Sequence, residues 1–175
     1  MAFLTKDVFS VRCIKKLDST EEREVARIND ENYIDNGGQL RCYGVLPYDY
    51  ALLAKCGTKV IGYALVVKNG LLLNSVYVMQ VAVDNHYKHM GVGKALYSFL
   101  GQHSKGFDYI TSNVHVGNTA SENFHKKMGF KPIKEPFFNS HNLALKVEHA
   151  PYNFNEATRK EYKFGYHEDL NALIE

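Results

Sequence analysis

The chain has 175 residues, enough for one domain that buries roughly 70% of its unfolded surface without staples. Its composition, 45% hydrophobic and 23% charged, excludes wholesale disorder, and a formal net charge of +2 is too small to make nucleic acid a main partner. Cys13, Cys42 and Cys56 form no CxxC pair, which argues against a disulfide framework or a cysteine zinc site and suits a reducing compartment.

No run reaches the roughly 18 apolar residues of a membrane span, and Met1–Ser10 lacks the basic flank and apolar run of a signal peptide. A cytoplasmic protein is expected.

Phe9–Leu17 alternates apolar and polar residues, the pattern of a half-buried strand. Asp18, Ser19 and Thr20 offer N-cap side chains, and Glu21, Glu22 and Glu24 place negative charge in a first helical turn. Val25 and Ile28 begin a helical stripe that fades near Tyr33, before Asn36-Gly37-Gly38. Tyr50–Lys55 and Lys59–Lys68 predict two strands joined through Gly57-Thr58, and Asn69-Gly70 signals a second hairpin. Leu71–Val83 follows with apolar residues on both faces, which predicts a central strand covered on both sides.

Val92, Ala95, Leu96, Phe99 and Leu100 make one helical stripe within Gly91–Lys105, stopped by Gly106. Tyr109–Val116 predicts another strand, with Ile110, Val114 and Val116 on one side. Asn118 or Thr119 opens a shorter helix carrying Ala120, Phe124 and Met128 and closed by Gly129. Phe130–Phe138 and Asn142–Glu148 predict two last strands.

The order β-α-(loop)-β-β-β-α-β-α-β-β predicts an α/β fold, a mixed sheet with helices on both faces. Residues 1–150 form the expected domain. Residues 151–175 form an expected tail of two short helices broken at Gly165, packed on the domain or at a dimer contact.

The segment that carries chemistry is Val81-Ala-Val-Asp-Asn-His-Tyr-Lys-His-Met-Gly-Val-Gly-Lys-Ala95. A buried strand ends, a polar loop turns, and Gly91 and Gly93 open an amphipathic helix. Unpaired N–H groups at such a start converge on one spot where the helix dipole is positive. Glycines there let a phosphate approach the main chain, and Lys88 and Lys94 add charge-assisted hydrogen bonds. The pattern predicts a pyrophosphate cradle. It is not a Walker A loop, which needs glycine where Lys88 stands and Ser or Thr where Ala95 stands; nor is it a Rossmann fingerprint, which needs a third glycine where Leu96 stands.

The six residues Lys88-His-Met-Gly91-Val-Gly93 resemble the Gln/Arg-x-x-Gly-x-Gly/Ala signature of the GNAT superfamily of N-acetyltransferases, with Lys in the leading donor position. A second stretch, Asn118-Thr-Ala-Ser121-Glu-Asn-Phe124-His125-Lys-Lys-Met-Gly129-Phe130, is similar to the family's strand, Asn and short helix ending in Gly-Phe, with the spelling of its small-amine, phosphinothricin-type branch. The resemblance spans roughly residues 9 to 148. It implies a mostly antiparallel sheet splayed between its fourth and fifth strands, with acetyl-CoA as cosubstrate and no metal.

By position, the resemblance implies that the amides of Val81 and Val83 hold the pantetheine arm. Those of His89, Met90, Gly91, Val92, Gly93 and Lys94 take the pyrophosphate, with the Lys88 side chain beside them, and Asn118 and Ser121 lie toward the pantetheine or the reacting end. The reaction implied is attack of a neutral amine on the acetyl thioester, with a group to take the amine proton and one to protonate the thiolate. His125 stands where many members carry a tyrosine acid, and it either donates a proton or packs at the cofactor edge. Tyr77 stands where some members carry a glutamate base, and it either holds a water or belongs to the core.

His86 and His89 are expected to be solvated loop residues, and His115 a hydrogen-bonded sheet residue. Tyr33, Tyr43, Tyr48 and Tyr50 with Glu31, Asp35 and Asp49 lie where the family lines its acceptor pocket, which suits a cationic amine; loop packing is the alternative. A small-molecule primary amine is the expected acceptor. The other readings are a protein N-terminal or lysine acetyltransferase and a non-catalytic CoA-binding module. A homodimer is compatible, and nucleic acid or membrane partners are not expected.

Overall fold

A computed structural model of the chain describes residues 9–33, 47–68, 74–115, 117–132, 140–146 and 163–164. The elements run β1 (Ser10–Ile14), α1 (Ser19–Tyr33), β2 (Tyr50–Cys56), β3 (Lys59–Lys68), β4 (Ser75–Val83), a 3₁₀ turn (Asn85–Tyr87), α2 (Val92–His103), β5 (Tyr109–His115), α3 (Thr119–Lys127), β6 (Lys131–Pro132), β7 (Ser140–Lys146) and β8 (Lys163–Phe164).

The strands form one mixed sheet in the order β6-β7-β5-β4-β3-β2-β1-β8. β4 pairs with β5 and β1 with β8 in parallel, while the other neighbours are antiparallel.

Each helix forms for local reasons and is fixed by packing. Asp18 Oδ1 accepts the N–H groups of Thr20 and Glu21, both at 2.8 Å, and Glu21 returns a carboxylate to the Asp18 N–H at 3.2 Å. This reciprocal capping box starts α1, whose Val25 and Ile28 bury against Ala51, Leu53, Tyr63 and Leu65. On the opposite face Leu96, Phe99 and Leu100 of α2 bury against Leu52, Ala64, Val66, Val76 and Val78. Both faces of β2 and β3 are therefore covered, which is why these strands are apolar apart from lysines near their ends. No helix among the described residues is long and apolar enough to cross a membrane.

One irregularity in β4 decides which of its side chains face each helix. Leu65 pairs with Gln80 but Val66 pairs with Val78, so Met79 is an extra residue on β4. A one-residue slip exchanges the faces of every side chain beyond it. Val76 and Val78 face α2 before the bulge; after it Val81 and Val83 pack on that side, while Ala82 joins the α1 cluster. Gln80 donates to Asn29 of α1 at 3.2 Å.

The expected elements are present, several with shifted bounds. The first strand covers Ser10–Ile14 within the expected 9–17, and the strand expected from Phe130 is described only at Lys131–Pro132. Ala120, expected on the buried side of α3, is exposed, whereas His125 takes that side with Met128. Lys163–Phe164 is a strand where a helix was expected, because it pairs with the otherwise open edge of β1. The rest of the tail, the Asn69-Gly70 hairpin, Asn36-Gly37-Gly38, Val116, residues 133–139 and 34–46 (with Tyr43 and Asp35), and the side chain of His115 lie outside the described residues.

Candidate active site

β4 and β5 pair from Ser75–Tyr109 to Val78–Ser112 and then part. Asn113–His115 continue in pairing with β7, while β4 runs on past the Met79 bulge beside β3. The Asp84 N–H donates to Ile61 O at 2.9 Å, so Gly62–Val83 is a non-hydrogen-bonded pair, and Ala64–Val81 two residues on is another. The main-chain groups of Val81 and Val83 therefore point away from β3, to the side that β5 has left. On that side the end of α1 takes their carbonyls: the Tyr33 hydroxyl donates to Val81 O at 3.2 Å and Asn32 Nδ2 to Val83 O at 3.0 Å. The Val81 and Val83 N–H groups face the gap between the two strands.

Beyond β4, the 3₁₀ turn leads into Lys88, His89 and Met90, all exposed. His89 has φ 64° and Gly91, the N-cap of α2, has φ 85°, both in the left-handed region. Gly91 supplies no side-chain cap, so the first N–H groups of α2 have no side-chain acceptor from their own cap. Val92 is buried, and Gly93 and Lys94 border the same start. The missing Cβ of Gly93 leaves room for a further neighbour. A Cβ there would lie 3.3 Å from Phe124, so the glycine admits the α3 ring on the side where a side chain would stand.

Asp84, fully buried, anchors the loop. Its carboxylate accepts from the His86 N–H at 2.9 Å, the His86 ring at 3.0 Å, Arg27 at 2.9 Å and Lys59 at 3.1 Å. Burial alone would raise its pKa; the donors from His86, Lys59 and Arg27 outweigh that and hold it well below the usual carboxylate range.

On α3, Asn118 is the N-cap, its Oδ1 accepting the Ser121 N–H at 3.2 Å. Ser121 in turn fixes His125. The carbonyl of Ser121 can only accept, so the imidazole Nδ1 carries the proton and donates to it at 2.8 Å. Nε2 then accepts from the Tyr97 hydroxyl at 2.8 Å. Burial pushes the pKa of His125 down, and Tyr97 and Phe130 meet the ring edge-on. Of the two roles open for His125, this geometry supports packing: the ring is neutral, 2% exposed, and both nitrogens are engaged within the protein.

Tyr97 is also buried, and its hydroxyl lies 3.5 Å from Ser112 Oγ, at the last β4–β5 pair. Burial raises its pKa, with a further contribution from the nearby phenols of Tyr33 and Tyr77.

The expected acceptor-side residues separate. Tyr33 reaches the β4 edge. The Tyr48 hydroxyl accepts from the Leu17 N–H, Asp49 accepts from the Lys68 N–H, and Glu31 pairs with Arg27. Tyr50 is fully buried in the core, so burial rather than substrate explains it. Sequence reasoning missed Tyr97, Asp84, Asn32 and Arg27. For Asp84 a signal existed, since an Asp directly after an apolar strand can cap the N–H two residues on.

The sequence profile of the Acetyltransferase (GNAT) family matches residues 14–130. No curated protein matches the chain at a significant level. Among solved structures, an acetyltransferase from Thermus thermophilus is similar with a TM-score of 0.67 at 13% identity, over 80% of this chain and 99% of that one. The ribosomal-protein-S18-alanine N-acetyltransferase from Escherichia coli is similar with a TM-score of 0.58 at 17% identity, over 83% and 98%. The PaiA N-acetyltransferase from Thermoplasma acidophilum, solved in complex with coenzyme A, has a TM-score of 0.50 at 21% identity, over 55% and 59%. At such identities the likeness is one of fold.

Proposed function

The chain belongs to the GNAT family of acetyltransferases, and from that premise we propose that it transfers an acetyl group from acetyl-CoA to the primary amine of a small molecule. The observation that carries this reading is a coincidence of place. β4 loses β5 as a neighbour after Val78, and the chain then leads through a short turn to a helix start whose N-cap is a left-handed glycine.

An extended pantetheine arm can add to β4 as a strand through the Val81 and Val83 N–H groups. A pyrophosphate then meets the amides of His89, Met90, Gly91, Val92, Gly93 and Lys94, with the Lys88 and Lys94 ammonium groups nearby. Asn118 and Ser121 border the reacting end from α3, Asn118 with its oxygen already used as a cap.

Acetyl-CoA supplies a thioester-activated acetyl group. The chain's part is to hold it, to orient an uncharged amine, and to move one proton from the amine and one to the departing sulfur. Tyr77, in β4 just before the bulge, and Tyr33, on the Val81 carbonyl, are assigned to the acceptor side. Tyr77 serves proton transfer directly or through a water. His125 is assigned to seating Tyr97 and α3.

A thermal-shift titration with acetyl-CoA, run beside Gly91→Glu, tests the reading. At 100 times its Kd the ligand adds about 2.7 kcal/mol, equivalent to roughly 5–11 °C for a chain of this size. The variant, with a charge and a Cβ at the cradle, should show no shift. No shift in the folded parent overturns the cofactor assignment. Thiol release from a panel of small amines and peptides then decides the acceptor: release with peptides alone gives a protein acetyltransferase, and binding without release gives a CoA-binding module.

A further inference from the structure

The loop after β4 is held in a costly shape. Left-handed backbone at a residue other than glycine costs on the order of 1–2 kcal/mol, and His89 adopts it two residues before Gly91 does. Such a conformation persists only where the surroundings over-determine it.

The restraints lie at the two ends of the loop, and both are set by the beginning of β3. At the exit, Val92 sits on Gly62 so closely that a Cβ on Gly62 would come within 2.7 Å of it. At the entry, Asp84 is tied to β3 through its N–H on Ile61 O and through Lys59 on its carboxylate. The Asp84 carbonyl accepts the Tyr87 N–H at 2.9 Å, and its side chain accepts the His86 N–H, which together close the 3₁₀ turn. Lys59 grips that turn a second time, its ammonium 5.1 Å from the centre of the Tyr87 ring. Arg27 brings α1 onto the same carboxylate, one turn before Asn32 reaches Val83 O.

We propose that Asp84, with Lys59 and Arg27 bound to it, is a positioning centre for the phosphate-binding loop: it fixes the turn from which Lys88 to Lys94 are presented, and Lys59 and Arg27 act on the ligand through Asp84. This rests on the proposed binding of CoA. The buried carboxylate is saturated by donors from three separate elements, α1, β3 and the turn, and its ionised state is what holds them together. Neutralising it leaves Arg27 and Lys59 facing an amide nitrogen.

The expected effect has a sign that separates positioning from plain electrostatics. Asp84→Asn removes a negative charge near a pyrophosphate site, so long-range attraction alone would tighten CoA binding. Positioning requires that it weaken. Calorimetric titration with CoA should show Kd rising about tenfold in Asp84→Asn, and rising also in Lys59→Met and Arg27→Met. For the two methionine variants the ratio of variant to parent Kd should persist in about 1 M NaCl, where the Debye length is about 3 Å.

Thermal denaturation in parallel identifies a merely structural role, which lowers Tm and leaves Kd unchanged. A folded Asp84→Asn that binds CoA as well as the parent or better overturns the inference. If that variant fails to fold, Lys59→Met and Arg27→Met decide: parent affinity, or a loss that disappears in high salt, overturns it, and a salt-resistant loss supports it. A folded parent that binds no CoA is a separate result, the failure of the CoA reading itself.

Discussion

Replacing Gly62 with alanine puts a methyl group where the first residue of α2 already sits. The added Cβ lies 2.7 Å from Val92 Cγ1 and 3.3 Å from the Ala82 carbonyl oxygen. Carbon atoms rest about 3.5–4.0 Å apart, so Val92 must yield by about 1 Å. Val92 is 1% exposed and β-branched, with a stiff χ1 in a helix, so the whole first turn moves rather than the side chain alone. Forcing a methyl into a packed core costs about 1–3 kcal/mol, a fall in Tm of roughly 2–12 °C at this chain length.

The sign is informative, because glycine to alanine in an uncrowded strand stabilises by about 0.5–1 kcal/mol. The same displacement carries the α2 amides with it, so CoA affinity should fall about tenfold. Val92→Ala removes the clashing atom, and the double variant should be less damaged than the sum of the singles by about 1 kcal/mol or more. Denaturation curves and CoA titrations on the four proteins complete the cycle. A Gly62→Ala protein with parental Tm and affinity, or strict additivity in the double variant, refutes the reasoning.

Two further outcomes rest on the α3 geometry. Burial lowers the pKa of His125, so below the ordinary histidine value of about 6.5 the unfolded chain binds a proton that the folded one refuses. The stability of neutral His125 is full above that value and is lost as pH falls toward the depressed folded pKa. His125→Phe should therefore flatten urea-derived stability against pH below neutrality relative to the parent, and parallel curves would contradict the buried neutral ring. Asn118→Ala should cost about 1 kcal/mol through the lost cap, whereas Asn118→Asp keeps the cap. If the Asn118 amide also touches the pantetheine, Asn118→Asp holds its Tm but weakens CoA binding in titration; unchanged affinity would limit Asn118 to capping.

Most of the fold was legible because its signals are local. The alternation in Ser10–Ile14, the capping box at Asp18 and Glu21, and Gly57 at φ 59° each depend on residues within a few positions. The bulge at Met79 was not legible. A bulge shows in a sequence as a break in alternation, and β4 has both faces covered, so there was little alternation to break. β8 was missed for the opposite reason: two residues carry no period, and their state is decided by the distant edge of β1.

The site divides along the same line, and the division has a chemical cause. Main-chain donors advertise themselves through the residues that permit their geometry, so Gly91 and the end of β4 could be found without knowing any partner. Side-chain roles depend on what is brought opposite. His125 has the chemistry of a proton donor, yet Tyr97, 28 positions away, closes its free nitrogen. Gly93 suggests room at the main chain, and its missing Cβ makes room for Phe124 as well. Asp84 reads as a loop residue and collects Arg27 from 57 positions away. A site proposed to bind through its backbone is therefore easier to nominate from sequence than one built from side chains. Recognition of an acceptor by side chains depends on residues that meet only on folding, so no local pattern announces it.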